Sequence, residues 1–232
     1  MSKNVYIYII LLASILSLGK VSAQNNNSFV GVRFGAALPM GDFASHEYGY
    51  GGYALLGTSF GGEAAWFITP KLGFGVDVSV NRFNFANGFY ADDYKESDPA
   101  FTKVSMMSGP YKIATYMGGV YYKATISPKL HSTFKLMGGL FNAKTPDQLF
   151  GITTFLVGNL NFWKTSARDS KFGFLTGASL EYKLYDHVSI LLQADFAYAE
   201  AAFTYATSTS TSYTDHMSLP IFRLQPGINI HF

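Results

Sequence analysis

The sequence predicts an all-β fold, an eight-stranded antiparallel up-and-down β-barrel that crosses a membrane. Three observations lead there. Aromatic residues make up 17% of the chain and charged residues only 14%, against roughly 25% charged in an ordinary soluble domain. Beyond the amino-terminal leader no segment offers eighteen continuous apolar residues. Helices and closed barrels are the two structures that satisfy every backbone polar group in lipid, so spanning falls to strands. Finally, Ile68-Thr69-Pro70-Lys71-Leu72, Ile126-Ser127-Pro128-Lys129-Leu130 and Leu184-Tyr185-Asp186-His187-Val188 begin 58 residues apart each time. That interval exceeds the familiar solenoid repeats. It fits one hairpin unit of strand, long loop, strand and short turn, and four hairpins make eight strands.

The leader comes first along the chain. Lys3 precedes an apolar run from Val5 to Leu18, and Val21-Ser22-Ala23 supplies a signal-peptidase site. Residues 1–23 therefore read as a secretory signal peptide cleaved before Gln24, and 24–232 as one barrel domain. The leader takes Lys3 and Lys20 with it, leaving 15 of the 17 basic residues against 15 acidic ones. A neutral chain does not point to nucleic acid. With no cysteine there is no lipid-anchored Cys, no disulfide framework and no thiol nucleophile.

The eight strands are expected at 29–38, 53–69, 72–85, 111–126, 130–143, 171–184, 188–204 and 217–232, each bounded by turn residues and each long enough to cross at a tilt. Pleating sends even positions to one face and odd positions to the other. The even face is apolar and reads as the lipid side: Val30, Val32 and Phe34; Leu56, Phe60 and Trp66; Phe74, Val76 and Val78; Tyr116, Val120 and Tyr122; Phe134, Leu136 and Leu140; Phe172, Phe174 and Leu180; Ile190 and Leu192; Ile228, Ile230 and Phe232. Trp66, Tyr122, Tyr182 and Phe232 fall near the short-turn ends, where an interfacial aromatic girdle is expected.

The odd face carries one charge per strand: Arg33, Glu63, Asp77, Lys123, Lys135, Glu181, Asp195 and Arg223. Signs are opposite within each hairpin, which suggests the pairs Arg33–Glu63, Asp77–Lys123, Lys135–Glu181 and Asp195–Arg223. Their companions are small or polar, with Met137, Leu175 and Leu191 as exceptions, and the glycines leave room for long basic side chains. An eight-stranded barrel is only wide enough for its own side chains to fill. An unpaired buried charge is costly, so this face reads as a packed, neutral, structural network rather than a conduction path or catalytic site. A soluble lipocalin-like barrel would reverse the pattern, apolar inside and polar outside.

The long connections, 39–52, 86–110, 144–170 and 205–216, are polar, Gly-rich or Ser/Thr-rich and read as extracellular loops. The third is the exception, because 149–163 is strongly apolar. It either prolongs its strands, packs into the barrel mouth or docks on an envelope partner, and Gly158-Asn159 offers an extra turn for a ten-stranded alternative. Chemistry is sparse. His46, His131, His187, His216 and His231 lack metal-ligand spacing, and no cofactor is implied. Ser45-His46-Glu47 names triad residue types, but adjacent residues do not converge as a triad must. Gly49-Tyr50-Gly51-Gly52-Tyr53 lacks the context of a phosphate loop. Asp92, Asp93, Glu96 and Asp98, and the tract 207–214, read as solvated loop.

The last eight residues, Gln225 to Phe232, place Gly227, Ile230 and the terminal Phe232 in a pattern that resembles the sorting signal on the final strand of bacterial outer-membrane barrels. With the leader, the four hairpins and the inward charges, residues 28–232 resemble small outer-membrane β-barrels of the OmpA-transmembrane-domain and OmpX type. The Pro-Lys turns and abundant Tyr and Phe are especially similar to the porin-family barrels of Bacteroidota. The resemblance implies an outer-membrane location, outer-membrane lipid and lipopolysaccharide as surroundings, and the barrel-insertion machinery as a partner. It also implies a structural or interaction role, either through the loops or as a subunit of an envelope assembly. A narrow passive pore and a lipid A-modifying enzyme, with His216 and Ser218 at the outer rim, are the alternatives. No periplasmic domain is expected after Phe232, unlike full-length OmpA.

Overall fold

The computed structural model describes residues 27–155, 158–206 and 212–232; the leader and its cleavage site lie outside them. Eight strands close into one antiparallel ring: β1 (Phe29–Pro39), β2 (Ala54–Phe67), β3 (Leu72–Phe85), β5 (Tyr111–Thr125), β6 (Leu130–Lys144), β9 (Arg168–Tyr185), β10 (Val188–Ala206) and β12 (Ile221–His231). Each pairs with the next, and β12 returns to β1 with Phe29 opposite His231 and Leu38 opposite Phe222. Closure leaves no open edge strand in the ring, so its strands pair on both sides along most of their length.

The short turns set the register. Thr69 and Ser127 occupy equivalent places. The Thr69 hydroxyl accepts from the Leu72 backbone N–H at 2.9 Å and the Ser127 hydroxyl from that of Leu130 at 3.2 Å. Ile68 and Ile126 donate back to the Leu72 and Leu130 carbonyls, each at 3.0 Å. These side-chain-closed turns are what Ser and Thr beside a proline favour. They pin Phe67 opposite Gly73 and Thr125 opposite His131.

The strand expected at 217–232 is two elements, β11 (Ser212–Ser218) and β12, broken at Leu219-Pro220. Proline has no ladder N–H to give. Its carbonyl instead accepts from Met40 at 3.0 Å, and the Leu219 N–H turns to Ala199 at 2.8 Å. Above the break β11 pairs with the upper half of β10 in a ribbon standing over the ring. Part of the Ser/Thr-rich tract, 207–211, lies outside the described residues.

The alternation resolves as two faces. Val32, Phe34, Phe60, Val76, Val120, Leu136, Phe172, Leu192 and Ile228 are each about half exposed or more, forming a greasy outer wall. The interior is layered. At the short-turn end Phe29, Phe67, Tyr121 and His231 pack edge to face. Charged residues fill the middle, Met117, Met137, Phe141 and Leu175 are buried as well, and Phe43, Phe83 and Tyr111 meet at 5.1 Å near the long-loop end. The interior is thus more apolar at its ends than the expectation of a small-and-polar lining with three exceptions.

The long loops fold into a cap. A short helix α1 (Gly41–Ala44) and a longer one α2 (Asn87–Glu96) sit in the mouth. The second loop adds β4 (Phe101–Ser108), and the third folds as the hairpin β7 (Gln148–Thr154) and β8 (Gly158–Lys164), giving a separate sheet in the order β4-β7-β8. The third loop therefore neither prolongs its barrel strands nor adds strands to the ring. One face of its hairpin packs toward the mouth: Phe150 is buried, with its ring 4.6 Å from Phe162 and 6.0 Å from Tyr90. Gly158 begins β8, opposite Thr154 of β7. Among the described residues no helix is long and apolar enough to cross a membrane, which says nothing of crossing by strands.

Candidate functional site: a buried charge network under a capped mouth

All eight odd-face charges lie inside the ring, none more than 5% exposed. Lys135 is the hub. Its ammonium lies 2.7 Å from Glu63, 3.0 Å from Asp77 and 3.4 Å from Asp195. Arg223 pairs with Asp195 at 2.8 Å and with Asp77 at 3.6 Å, and donates to the Ser79 hydroxyl. Arg33 reaches Glu63 at 3.3 Å and donates to Gln193 at 2.7 Å and Asn229 at 3.2 Å. Three cations thus meet three carboxylates across the lumen.

Register decides which hairpin pairs form. Asp195 and Arg223 are directly opposite, and Arg33 and Glu63 sit two positions apart on neighbouring strands, so both pairs meet. Asp77 is opposite Met117, which leaves Lys123 six positions, about 20 Å, nearer the short-turn rim. Lys135 is opposite Gly177, four positions from Glu181. The expected Asp77–Lys123 and Lys135–Glu181 pairs are therefore replaced. Lys123 has no carboxylate within 4 Å among the described residues and lies 5.9 Å from the centre of the Phe67 ring. Glu181 pairs with His231 at 2.5 Å. The missed signal was in the turns. The Pro70 turn places Glu63 directly opposite Asp77, and two facing carboxylates need a cation from elsewhere. Lys135 supplies it from across the lumen.

Glycines make the network fit. A methyl group at Gly177 would collide with an Asp195 carboxylate oxygen and stand 3.1 Å from Lys135 Cε, and one at Gly31 would stand 2.8 Å from an Arg33 nitrogen.

At the mouth, the Tyr53 hydroxyl donates to Asp93 at 2.5 Å. Burial, then this bond to a carboxylate, pushes its ionisation above the usual tyrosine range. Tyr53 has a left-handed backbone, φ 51°, and is held between Ser45 and Ala86; such strain persists where surroundings over-determine it. Asp147 accepts from the Ser166 N–H at 2.9 Å and pairs with Lys144 at 3.2 Å. The Ser166 bonds, aided by Lys144, hold its carboxyl below the usual range. Together these contacts fasten α2 and the β7–β8 hairpin to the ring.

The remaining residues singled out from sequence are dispersed. His46 stacks between Tyr53 and Phe89, and the Ser45 hydroxyl accepts from the Glu47 N–H, which is local loop packing. The Ser218 hydroxyl donates to Asp42 at 3.0 Å, while His216 lies opposite Ala202. Gly227 faces Arg33 and Leu191 on the neighbouring strands; Ile230 and Phe232 are exposed on the outer wall, with Phe232 6.0 Å from Trp66.

No family model matches the chain, and no curated protein matches it. Solved structures do. A major outer membrane protein from Thermus thermophilus aligns with TM-score 0.50 and 13% identity over 88% of this chain and 99% of that one. The attachment invasion locus protein Ail of Yersinia pestis aligns at TM-score 0.46 and 12% identity over 88% and 97%, and Neisserial surface protein A at 0.45 and 12% over the same shares. At such identities the likeness is one of fold, and the chain is an eight-stranded antiparallel up-and-down β-barrel.

Proposed function

We propose that the chain is an integral outer-membrane protein with a closed lumen and no enzymatic role, whose barrel anchors a cap that meets an envelope partner. The observation that carries this reading is the inside-out distribution of polarity. In water the half-exposed Val, Leu, Ile and Phe of the wall would form a continuous apolar belt far larger than the patches soluble monomers tolerate. In lipid the same belt is favourable, and a charge moved onto it would cost about 2–4 kcal/mol. The fold supports an outer-membrane location, and the outward-facing Ile228, Ile230 and Phe232 of the last strand suit a segment handled by the insertion machinery.

The cap supports an interaction role. β8 is an edge strand with Leu160, Phe162 and Trp163 exposed, and Phe155 beside it is 84% exposed. An unpaired strand edge with apolar side chains is a template for a partner's strand. The test is a pull-down from mildly solubilised outer membranes with the full chain and with Trp163→Asp. A defined envelope protein retained by the first and lost by the second is expected. A chain that comes out alone from both would overturn the partner role.

A further inference from the structure

The outer wall changes chemistry in rows on one side of the barrel. Cross-strand partners on β3, β5, β6 and β9 form the wholly apolar row Val78–Tyr116–Leu140–Phe172. Two positions toward the long-loop end the row is Val80–Ala114–Asn142–Ser170. Two further it is Arg82–Lys112–Lys144–Arg168, four basic residues directly opposite one another on four adjacent strands. All four stand on the outward face of the alternation. Arg82, Lys112 and Arg168 are exposed, and Lys144 is half-buried. Like charges directly opposite one another destabilise a sheet, and little in this fold relieves them. Lys144 has Asp147 at 3.2 Å, and Asp169, next to Arg168, turns to Lys171 and the Ala202 N–H. Arg82, Lys112 and Arg168 have no carboxylate within 4 Å among the described residues. On β2 and β1 the same row continues as Thr58 and Ala36, so the charge is confined to one side.

Depth identifies what covers it. The basic row lies four residues beyond the last wholly apolar row, about 13 Å along strands tilted by roughly 40°, hence about 10 Å along the membrane normal. A row perpendicular to such strands climbs about 3 Å per strand, so the four residues span about 9 Å of depth around the boundary between hydrocarbon and headgroups.

We propose that this row is a phosphate-binding site that holds the phosphorylated headgroup of an outer-leaflet lipid against one side of the barrel. The assignment rests on the membrane-barrel reading above and adds a ligand to it. Guanidinium groups at both ends suit bidentate contact with phosphate oxygens, and the lysines between them act as point charges. Each basic residue near an anionic surface changes affinity on the order of fivefold, so removing three weakens it about a hundredfold.

The test titrates detergent-folded protein with phosphorylated lipid A, with the same lipid after enzymatic removal of its phosphates, and with inorganic phosphate. It reads the temperature at which the fast-migrating folded form on a detergent gel is lost. Phosphorylated lipid A should raise that temperature where the other two do not, and R82Q/K112Q/R168Q should need about a hundredfold more of it. Should the triple variant not fold, Lys112→Gln and Arg168→Gln singly should each need about fivefold more. An equal rise with inorganic phosphate would overturn the lipid as the source. An equal rise with dephosphorylated lipid, or unchanged affinity in the variants, would overturn the site. Absence of a fast-migrating form in the unsubstituted protein would overturn the membrane-barrel reading and the site with it.

Discussion

Lys135 does what no other side chain in the lumen can, because Glu63 and Asp77 face each other across the β2–β3 ladder and Asp195 approaches from β10. Replacing it with Met keeps much of the volume but leaves three buried carboxylates with two arginines. Breaking a buried pair by removing one partner costs about 3–5 kcal/mol, so Lys135→Met should lower stability to urea in detergent micelles by about that much. Lys123→Met is the contrast. Lys123 is as buried but has no carboxylate within 4 Å among the described residues, and a buried charge without a partner is itself costly, so its exchange for an apolar chain should cost little. Equal losses for the two variants would mean that burial, not the three-carboxylate contact, sets the energetics. That all eight charges turn inward was legible from period-two alternation alone. Which of them touch was not, since pairing depends on height in the barrel, and height follows from counting away from the short turns rather than from membership of a hairpin.

At the scale of elements, the seven strands from β1 to β10 in the ring were legible to within a few residues because each ends at a Pro, Asp, Gly or Ser/Thr signal and carries one consistent polarity switch. The Leu219-Pro220 break was missed although Pro220 marks it and the apolar residues pass there from odd positions (Met217, Leu219, Ile221) to even ones (Phe222, Leu224). The cap was missed for a different reason. β4 and β7 pair across forty or more residues of chain, and the apolar content of 149–163 says that a face is covered without saying by what. The structure gives the cover: Phe150 lies against Phe162, Tyr90 and Tyr94. Truncating a buried Phe costs about 3–5 kcal/mol. Phe150 meets rings of the cap itself, while the cap meets the ring through Tyr53–Asp93, Lys144–Asp147 and the packing of Phe43 on Phe83 and Tyr111, so that cost should fall first on the cap. Phe150→Ala should make the chain at exposed Phe155 susceptible to limited proteolysis, while the ring keeps its fast migration on an unboiled gel. Loss of both together would show that cap and barrel fold as one unit.

For the whole molecule, the layered lumen supports the proposed anchor over a pore. A permeating ion entering from the long-loop end would meet Tyr53, Phe83 and Phe43, none measurably exposed, then the Lys135–Arg223 network, then Tyr121 and Phe29 at 2% exposure or less. The upper layer is held by ring contacts of Phe43 with Phe83 and Tyr111, the lower one by ring contacts among Phe29, Tyr121 and His231 and by the His231–Glu181 pair. Opening a water path would require moving aromatic side chains and separating ions that have each other as neighbours in a space only as wide as the side chains that fill it. Purified, folded protein in planar bilayers should therefore show no discrete conductance steps at moderate voltage. Steady steps that survive removal of the cap would place a continuous aqueous route through the ion layer and overturn the closed lumen. Steps that appear only with Tyr121→Gly and Phe29→Gly together would locate the seal at the short-turn end. Because that end is built from residues of β1, β2, β5 and β12, the seal depends on ring closure itself: the β1–β12 ladder that removes the last sheet edge also sets the rings of Phe29 and His231 edge to face.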